Sequence, residues 1–294
     1  MICPLCSRTN VRLLRIEKGV KIFECLDCQL GFIDQNNIST NLQRSMRDSE
    51  FYNFKEYQKE ELKLRKRFEK LAKLITNYKQ EGNILEVGAG FGLFASILVT
   101  NSKYKIDLID SLAMYRYIDT TIHNIKPFRG SFENYVTTYG KKHKKYDMVI
   151  MMDVIEHFKD PLSNLKKAKS LLKNDGILVI QTPNYKSLMA RICKNWAWWM
   201  IEDHKFFFSP KSLKLMLNRA GFQAKYLMSY EDFSDFKKNL DGNFTNIVNS
   251  LSRKIIKASF FLIFIPFYFI TRKLIWKRGF GGLIFTIVYK SQHT

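Results

Sequence analysis

Two sets of residues in this sequence have types and spacings that could do chemistry. Cys3 and Cys6 form one C-x-x-C pair and Cys25 and Cys28 a second, with eighteen residues between the pairs. Each pair can turn two thiolates toward one ion, and two pairs supply the four soft ligands of a closed tetrahedral zinc site. With no open coordination position, such a site holds structure together rather than reacting. The intervening "VRLLRIEKGVKIFEC" reads as a hairpin that brings the pairs together. Cys193 lies outside this pattern and reads as an ordinary buried thiol.

The second set surrounds "NILEVGAGFGLFASIL", Asn83 to Leu98, where an apolar run meets Gly88, Gly90 and Gly92 before apolar residues resume at helical spacing. That is a strand, a tight turn and a helix, the arrangement with which an α/β sheet cradles a nucleotide. Read from Gly90, "GFGLFA" satisfies G-x-G-x-x-A, so the glycines alone admit a dinucleotide. The carboxylates argue otherwise. Glu86 just before the turn would repel a pyrophosphate and attract an amino group. Asp110 ends the next strand twenty residues beyond Gly90, where a carboxylate can accept both ribose hydroxyls. Asp107 is its rival but lies within the strand. An adenosine ligand with an ammonium in place of a pyrophosphate is S-adenosylmethionine.

Four segments must position these residues: a zinc ribbon over 1–38, a charged helical linker over 39–82, an α/β core over 83–240 and a basic, apolar segment over 241–294 that includes a last strand. In the linker, Leu64, Phe68, Leu71, Ile75 and Tyr78 recur at spacings of four and three, giving one apolar stripe. The core strands are "NILEV", "KIDLID", "YDMVIMM", "GILVIQ" and "AKYLM", alternating with helical patterns as in a parallel sheet covered on both faces. Ser209 before Pro210 marks one helix start, and Gly221 marks the end of that helix.

"ILEVGAGFGLFA", "LIDSL", "GSFENY", "YDMVIMMDVIEHFKDP" and "LLKNDGILVIQTPN" resemble, in order and spacing, the motifs of class I S-adenosylmethionine-dependent methyltransferases over roughly residues 60–230. The resemblance implies an α/β, Rossmann-like sheet of seven strands with helices on both faces, here preceded by a zinc ribbon, carrying a C-terminal apolar helical insertion and closed by "LIFTIVYK". It places Glu86, Gly88 and Gly90 at the methionine end of the donor, and Asp110 with Ser111 at the ribose. Ser131 and Phe132 would face the adenine, at a position where many relatives carry an acidic residue. Met152 and Asp153 would close the pocket beside the methyl group. His157 of "DVIEHF" follows the same strand, and similar quinone O-methyltransferases and glycan-cluster enzymes share the "EH". An imidazole suits general-base work on a hydroxyl acceptor; alternatively Glu156 and His157 only organise the turn.

On the acceptor side, "KNWAWWMIEDHKFFFSP" puts Trp199 and His204 among aromatic residues suited to a sugar, an aromatic ring or an isoprenoid, or simply to packing. The net charge of +21 points to an anionic partner: nucleic acid, a membrane face or an anionic substrate. After Asp241 there is no acidic residue and there are eight Lys or Arg, flanking "ASFFLIFIPFYFI". That run is thirteen residues, shorter than a spanning helix, and Pro266 interrupts it, so an in-plane or re-entrant anchor on an anionic membrane is expected. The opening "MICPLC" carries no basic-then-apolar leader, which fits a cytoplasmic protein peripheral on the inner membrane face.

Together these features point to a methyltransferase acting on a hydroxyl of a sugar, a lipid-linked glycan or a related envelope metabolite, with a quinone as the rival acceptor. An RNA-modifying enzyme or a non-catalytic nucleic-acid-binding protein is the other class. It is disfavoured because "MMDVIEH" lacks the Asn/Asp-Pro-Pro-aromatic sequence common in base N-methylation, and because the basic residues flank an apolar stretch.

Overall fold

The structure, a computed structural model, describes residues 1–34, 54–100, 103–110, 123–140, 145–244 and 250–291. The chain divides into two compact units, neither contiguous in sequence. The first comprises Met1–Gln43, Thr182–Leu213 and Leu227–Phe285; the second comprises Arg44–Gln181, Lys214–Tyr226 and Thr286–Thr294.

The first unit contains a small sheet in the order β1-β2-β3-β9, formed by Val11–Glu17 (β1), Val20–Cys25 (β2), Gly31–Ile33 (β3) and Phe206–Phe207 (β9). β1 and β2 make the expected antiparallel hairpin, with Glu17 paired to Val20. Lys18 and Gly19 both have positive φ (45° and 82°), the twist that a two-residue hairpin loop requires. Behind this sheet lies an aromatic core of Tyr185, Trp196, Trp199, Phe207, Phe236 and Tyr268.

The seven-stranded mixed sheet has the order β10-β11-β8-β7-β4-β5-β6. Its strands are Glu81–Val87 (β4), Lys103–Asp110 (β5), Ile125–Arg129 (β6), Tyr146–Met152 (β7), Leu172–Pro183 (β8), Phe222–Tyr230 (β10) and Leu283–Lys290 (β11). The run β6-β5-β4-β7-β8 is parallel throughout. Ile84, Leu85, Leu108, Val149, Ile150 and Leu178 are fully buried, as expected where helices cover both faces. "LIFTIVYK" joins the sheet between β8 and β10 as anticipated. The strand missing from the sequence reading is β6, whose "IKPFR" does not alternate and contains Pro127. It lies at the sheet edge, where a missing N–H is tolerated.

The helices are Phe54–Thr76 (α1), Leu93–Thr100 (α2), Phe132–Tyr139 (α3), Pro161–Leu171 (α4), Leu188–Ile192 (α5), Pro210–Arg219 (α6), Phe233–Asn243 (α7) and Ser250–Lys277 (α8). The predicted stripe of α1 is real: Leu71 and Ile75 are buried, and the Phe68 ring lies 5.1 Å from Phe94 of α2. Tyr78 falls just past the end of α1. Ser209 caps α6, its Oγ accepting from the Ser212 N–H at 3.1 Å, and Gly221 follows the helix at φ +81°.

One expectation is corrected. The apolar run is not cut at Pro266; α8 continues through it for 28 residues, and Lys254–Lys277 is long and apolar enough to cross a membrane by length and composition. A mid-helix proline costs about 3 kcal/mol, and packing on both sides of it offsets that cost. Phe264 and Tyr268 stack against Phe236 of α7, the Tyr268 ring at 3.9 Å.

The connection from α8 to β11 is clasped by Asn184, whose Nδ2 donates to the carbonyls of Gly279 (2.9 Å) and Gly281 (2.8 Å). A Cβ on Gly281 would stand 2.3 Å from the backbone nitrogen of Tyr230, an atom fixed within β10. Gly281→Ala is therefore expected to lower folding stability by roughly 1–3 kcal/mol, read as a shifted denaturant midpoint. An unchanged midpoint would mean that β10 yields at this point.

Candidate active site and cysteine cluster

β4 carries Glu86 to the centre of the parallel sheet, opposite Leu108 of β5 and Ile150 of β7. The carboxylate is buried, and its Oε2 has no hydrogen-bond partner. Burial, reinforced by the charge of Asp110, pushes its pKa up from 4.5 to about 8. The chain then turns through Gly88, Gly90 and Gly92, all at positive φ, into α2. A Cβ on Gly88 would lie 2.4 Å from Val154 Cγ2, so only glycine lets the turn pass the end of β7. A Cβ on Gly90 would meet nothing within 4 Å: the turn faces open space there.

Asp110 ends β5, and its Oδ2 accepts from the Gly90 N–H at 2.6 Å, fixing the carboxylate against the turn. The rival Asp107 is engaged elsewhere, accepting from the hydroxyls of Tyr146 and Tyr135. At the end of β7, Met152 is buried and Asp153 adopts a left-handed φ of +55°. Such strain in a non-glycine residue persists only where neighbours impose it. Here Gln181 of β8 does so: its Nε2 donates to Asp153 Oδ2 (2.8 Å), and its carbonyl accepts from the Asp153 N–H (2.9 Å). A 3-10 turn over Ile155–His157 follows, leaving Glu156 buried and the His157 ring half-buried.

Ser131 is the N-cap of α3, its Oγ accepting from the Asn134 N–H at 3.1 Å. Phe132 is buried and stacked with Phe158 at 6.2 Å. Ser111 lies outside the described residues. The structure thus gathers Glu86, Gly88, Gly90, Asp110, Met152, Asp153 and His157 at the carboxyl ends of β4, β5 and β7.

Sequence reasoning missed Tyr57 of α1, whose ring lies 4.0 Å from Phe91 in the glycine turn. Burial, together with Glu61 and Glu86, pushes the Tyr57 hydroxyl up, so it stays protonated. Only the aromatic at the start of the α1 pattern could have hinted at it. Trp199 and His204 lie in the first unit. Trp199 is buried among Tyr185, Trp196 and Phe207, with the Arg15 guanidinium 4.8 Å over its ring. His204 is buried, and its Nδ1 is 3.1 Å from the Trp198 carbonyl.

The four cysteines converge as expected. Cys3 and Cys28 sulfurs are 3.5 Å apart, as are those of Cys6 and Cys25, and all four lie within 4.8 Å of one another. Zinc–sulfur bonds of about 2.3 Å place tetrahedral sulfurs about 3.8 Å apart, so the cluster fits that ion. The two knuckles match: Ser7 and Gln29, each following a pair, have φ of 61° and 59° and donate back to the carbonyls of Cys3 (2.9 Å) and Cys25 (2.8 Å). The Gln29 carbonyl also accepts from Tyr185 (2.9 Å) and Ser209 (3.0 Å), tying the second knuckle to its unit.

Residues 54–226 match the family described as a methyltransferase domain. The chain belongs to this family. It is an S-adenosylmethionine-dependent methyltransferase, and the unpartnered Glu86 oxygen beside an open glycine turn fits the ammonium of that donor. Among curated relatives, the ubiquinone biosynthesis O-methyltransferase of Glaesserella parasuis is 25% identical over 174 residues, 53% of this chain and 71% of that enzyme. That of Haemophilus ducreyi is 30% identical over 94 residues, 30% of this chain and 40% of its own length. The chain thus spans less than half of the second relative. A SAM-dependent methyltransferase of Thermotoga maritima superposes with a TM-score of 0.54 at 18% identity, over 85% of this chain and 100% of that one. One from Archaeoglobus fulgidus superposes with a TM-score of 0.51 at 20% identity, over 77% and 94%. At these identities the likeness is one of fold.

Two outcomes follow for this methyltransferase. The donor-free site keeps Glu86 protonated up to about pH 8, whereas an ammonium favours the carboxylate. Donor affinity is therefore expected to rise between about pH 6 and 8 with release of a proton, read by calorimetry in two buffers of different ionisation enthalpy. Because the folded pKa lies above 4.5, the stability contributed by Glu86 is fully present below pH 4.5 and is lost as pH rises through about 8. Glu86→Gln should flatten the affinity profile and weaken binding at high pH by roughly 10–100-fold. An affinity that does not vary with pH would remove Glu86 from ammonium recognition.

At the cysteines, elemental analysis is expected to find on the order of one zinc per chain, lost in Cys3→Ser together with cooperative unfolding of the first unit. A metal-free protein that melts unchanged would count against a structural ion.

Proposed function

We propose that this methyltransferase transfers the methyl group of S-adenosylmethionine to a hydroxyl of a sugar, a lipid-linked glycan or a related envelope metabolite, with zinc as the structural ion of its four-cysteine ribbon. The observation that carries the hydroxyl reading is His157, a half-buried imidazole in the turn after β7, three residues beyond the Val154 side chain that packs against Gly88 of the glycine turn. The donor, when bound, supplies an already activated methyl group as a sulfonium. The chain's tasks are then to orient the acceptor and to hold its proton. Glu86 and Asp110 would hold the donor, the strained Asp153 segment would line the pocket beside its methyl group, and His157 would take the acceptor's hydroxyl proton as that methyl leaves the sulfonium sulfur, which becomes a neutral thioether.

The sugar acceptor rests on the zinc-ribbon-first layout, which is similar to methyltransferases of polysaccharide clusters. A quinone-type acceptor is the second reading, favoured by the names of the curated relatives in Glaesserella parasuis and Haemophilus ducreyi.

The test is to incubate the protein with radiolabelled donor and separate envelope-glycan, quinone-precursor and RNA fractions. Label is expected in the glycan or lipid-linked fraction; label confined to quinone precursors or RNA would replace this reading. His157→Ala should lower kcat by about 10²–10⁴-fold with donor affinity unchanged, and turnover equal to wild type would exclude His157 as the base.

A further inference from the structure

We infer that the outer face of α8 is a docking surface for an anionic lipid bilayer, with the helix lying in the plane of the membrane rather than crossing it. The inference is independent of which hydroxyl is methylated.

The helix has two unlike long faces. The inner face is held to the first unit along most of its length. Lys257 pairs with Asp241 at 2.7 Å, the Phe260 ring lies 5.5 Å from Phe244, the Tyr268 ring lies 3.9 Å from Phe236, and the Trp276 carbonyl accepts from Ser229 at 2.9 Å. From Lys257 to Trp276 is about 28 Å of helix at 1.5 Å per residue. A segment crossing a bilayer must present apolar surface all round, but this inner face carries an ion pair and, at Tyr268, a hydroxyl on the buried Glu231 carboxylate (3.4 Å). Crossing would pull those groups into hydrocarbon or strip the helix from its own core.

Among the described residues, the opposite face has no comparable ion pair or hydrogen bond. Ile255, Leu262, Ile263, Ile270 and Leu274 repeat at helical spacing on the side away from Phe260, Phe264 and Tyr268. Leu262, Ile263 and Ile270 are 78%, 76% and 81% exposed, far above what a scattered surface leucine needs explaining for. Pro266 is exposed on this same side. Charge decides what covers the face. Lys273 and Lys277 are exposed at its C-terminal end, Lys254 is exposed in the first turns of the helix, and no acidic residue follows Asp241 in the chain. An apolar stripe on a helix with exposed lysines near both ends and no acidic residue matches the boundary between acyl chains and anionic headgroups. A second copy of the chain would bring the same lysines against its own and repel.

The full-length protein is tested by co-sedimentation with preformed vesicles of phosphatidylcholine alone or mixed with phosphatidylglycerol. Binding to the anionic vesicles, weakened by salt, is expected, with little binding to the neutral ones. The Leu262→Asp, Ile270→Asp double variant should lose at least about tenfold in vesicle affinity while calorimetric binding of S-adenosylmethionine stays at the wild-type value. Independently of any variant, hydrogen exchange of peptides covering residues 250–277 should slow on anionic vesicles. Wild-type protein left in the supernatant, or exchange unaltered by vesicles, overturns the inference. So does a wild-type dimer that the double variant splits into monomers without any change in vesicle binding, which would assign the face to a second copy.

Discussion

A buried carboxylate with one unpartnered oxygen, near the carboxyl end of the central parallel strand, is the constraint around which the catalytic unit is arranged. Glu86 is flanked by strands whose other central residues are apolar, and its nearest charged influence is another carboxylate, Asp110. In folding terms alone this is unfavourable, since removing an acid from water beside a like charge forces it to keep its proton. The surrounding geometry nevertheless preserves the arrangement. Asp110 is bonded to the glycine turn, Gly88 leaves no room for a side chain against Val154, and Gln181 holds Asp153 in a strained conformation at the neighbouring strand end. Such local cost, retained by several independent contacts, is the pattern expected of a functional site rather than of one selected for stability.

The first unit meets a different difficulty. Its small sheet is thin, and β1 exposes Leu13 and Ile16 at 47% and 56%, so burial alone holds it weakly. Four sulfurs within 4.8 Å of one another offer a cross-link where the core is smallest. The rest of the core is assembled from chain segments far apart in sequence: Tyr185 reaches the second cysteine knuckle, Phe236 stacks on Tyr268, and Asn184 clasps the glycines that follow α8. The C-terminal helix therefore belongs to the body of this unit on one side, while on its other side Leu262, Ile263 and Ile270 are exposed.

What could be read from the sequence followed the range of the interactions. The cysteine pairs, the glycine turn and the strand-end acids are written in spacings of a few residues, and the structure brings each set together. That Asp110 ends its strand while Asp107 lies within it was legible in the pattern; the tyrosine hydroxyls that occupy Asp107 were not, because Tyr135 and Tyr146 reach it across the fold. β6 escaped notice because an edge strand tolerates a proline and needs no alternation. Tyr57 was hidden because its neighbour Phe91 is more than thirty positions away. The continuity of α8 was misread for the same reason: Pro266 is a helix breaker by local rule, and only the packing of Phe264 and Tyr268 against α7 overrides it.

The distribution of charge separates the two recognition tasks of this methyltransferase. Glu24, Glu86, Asp110, Glu156 and Glu231 are buried, whereas Arg67 is the buried cation among the described residues. With Glu86 and Glu231 held protonated by burial up to about pH 8 and the other three acids buried, a chain of formal net charge +21 shows water a surface more basic than its composition. The field of the whole molecule then repels a cationic methyl donor and attracts anions. At physiological salt that field decays over about 8 Å, so it cannot decide what binds inside a buried pocket. Recognition of a cationic donor must come from groups at short range, where desolvation strengthens the attraction, and Glu86 is a buried carboxylate with Asp110 as a neighbouring charge. The long-range positive field is left to act on whatever approaches the surface, and there it favours an anionic interface over a second copy of an equally basic chain.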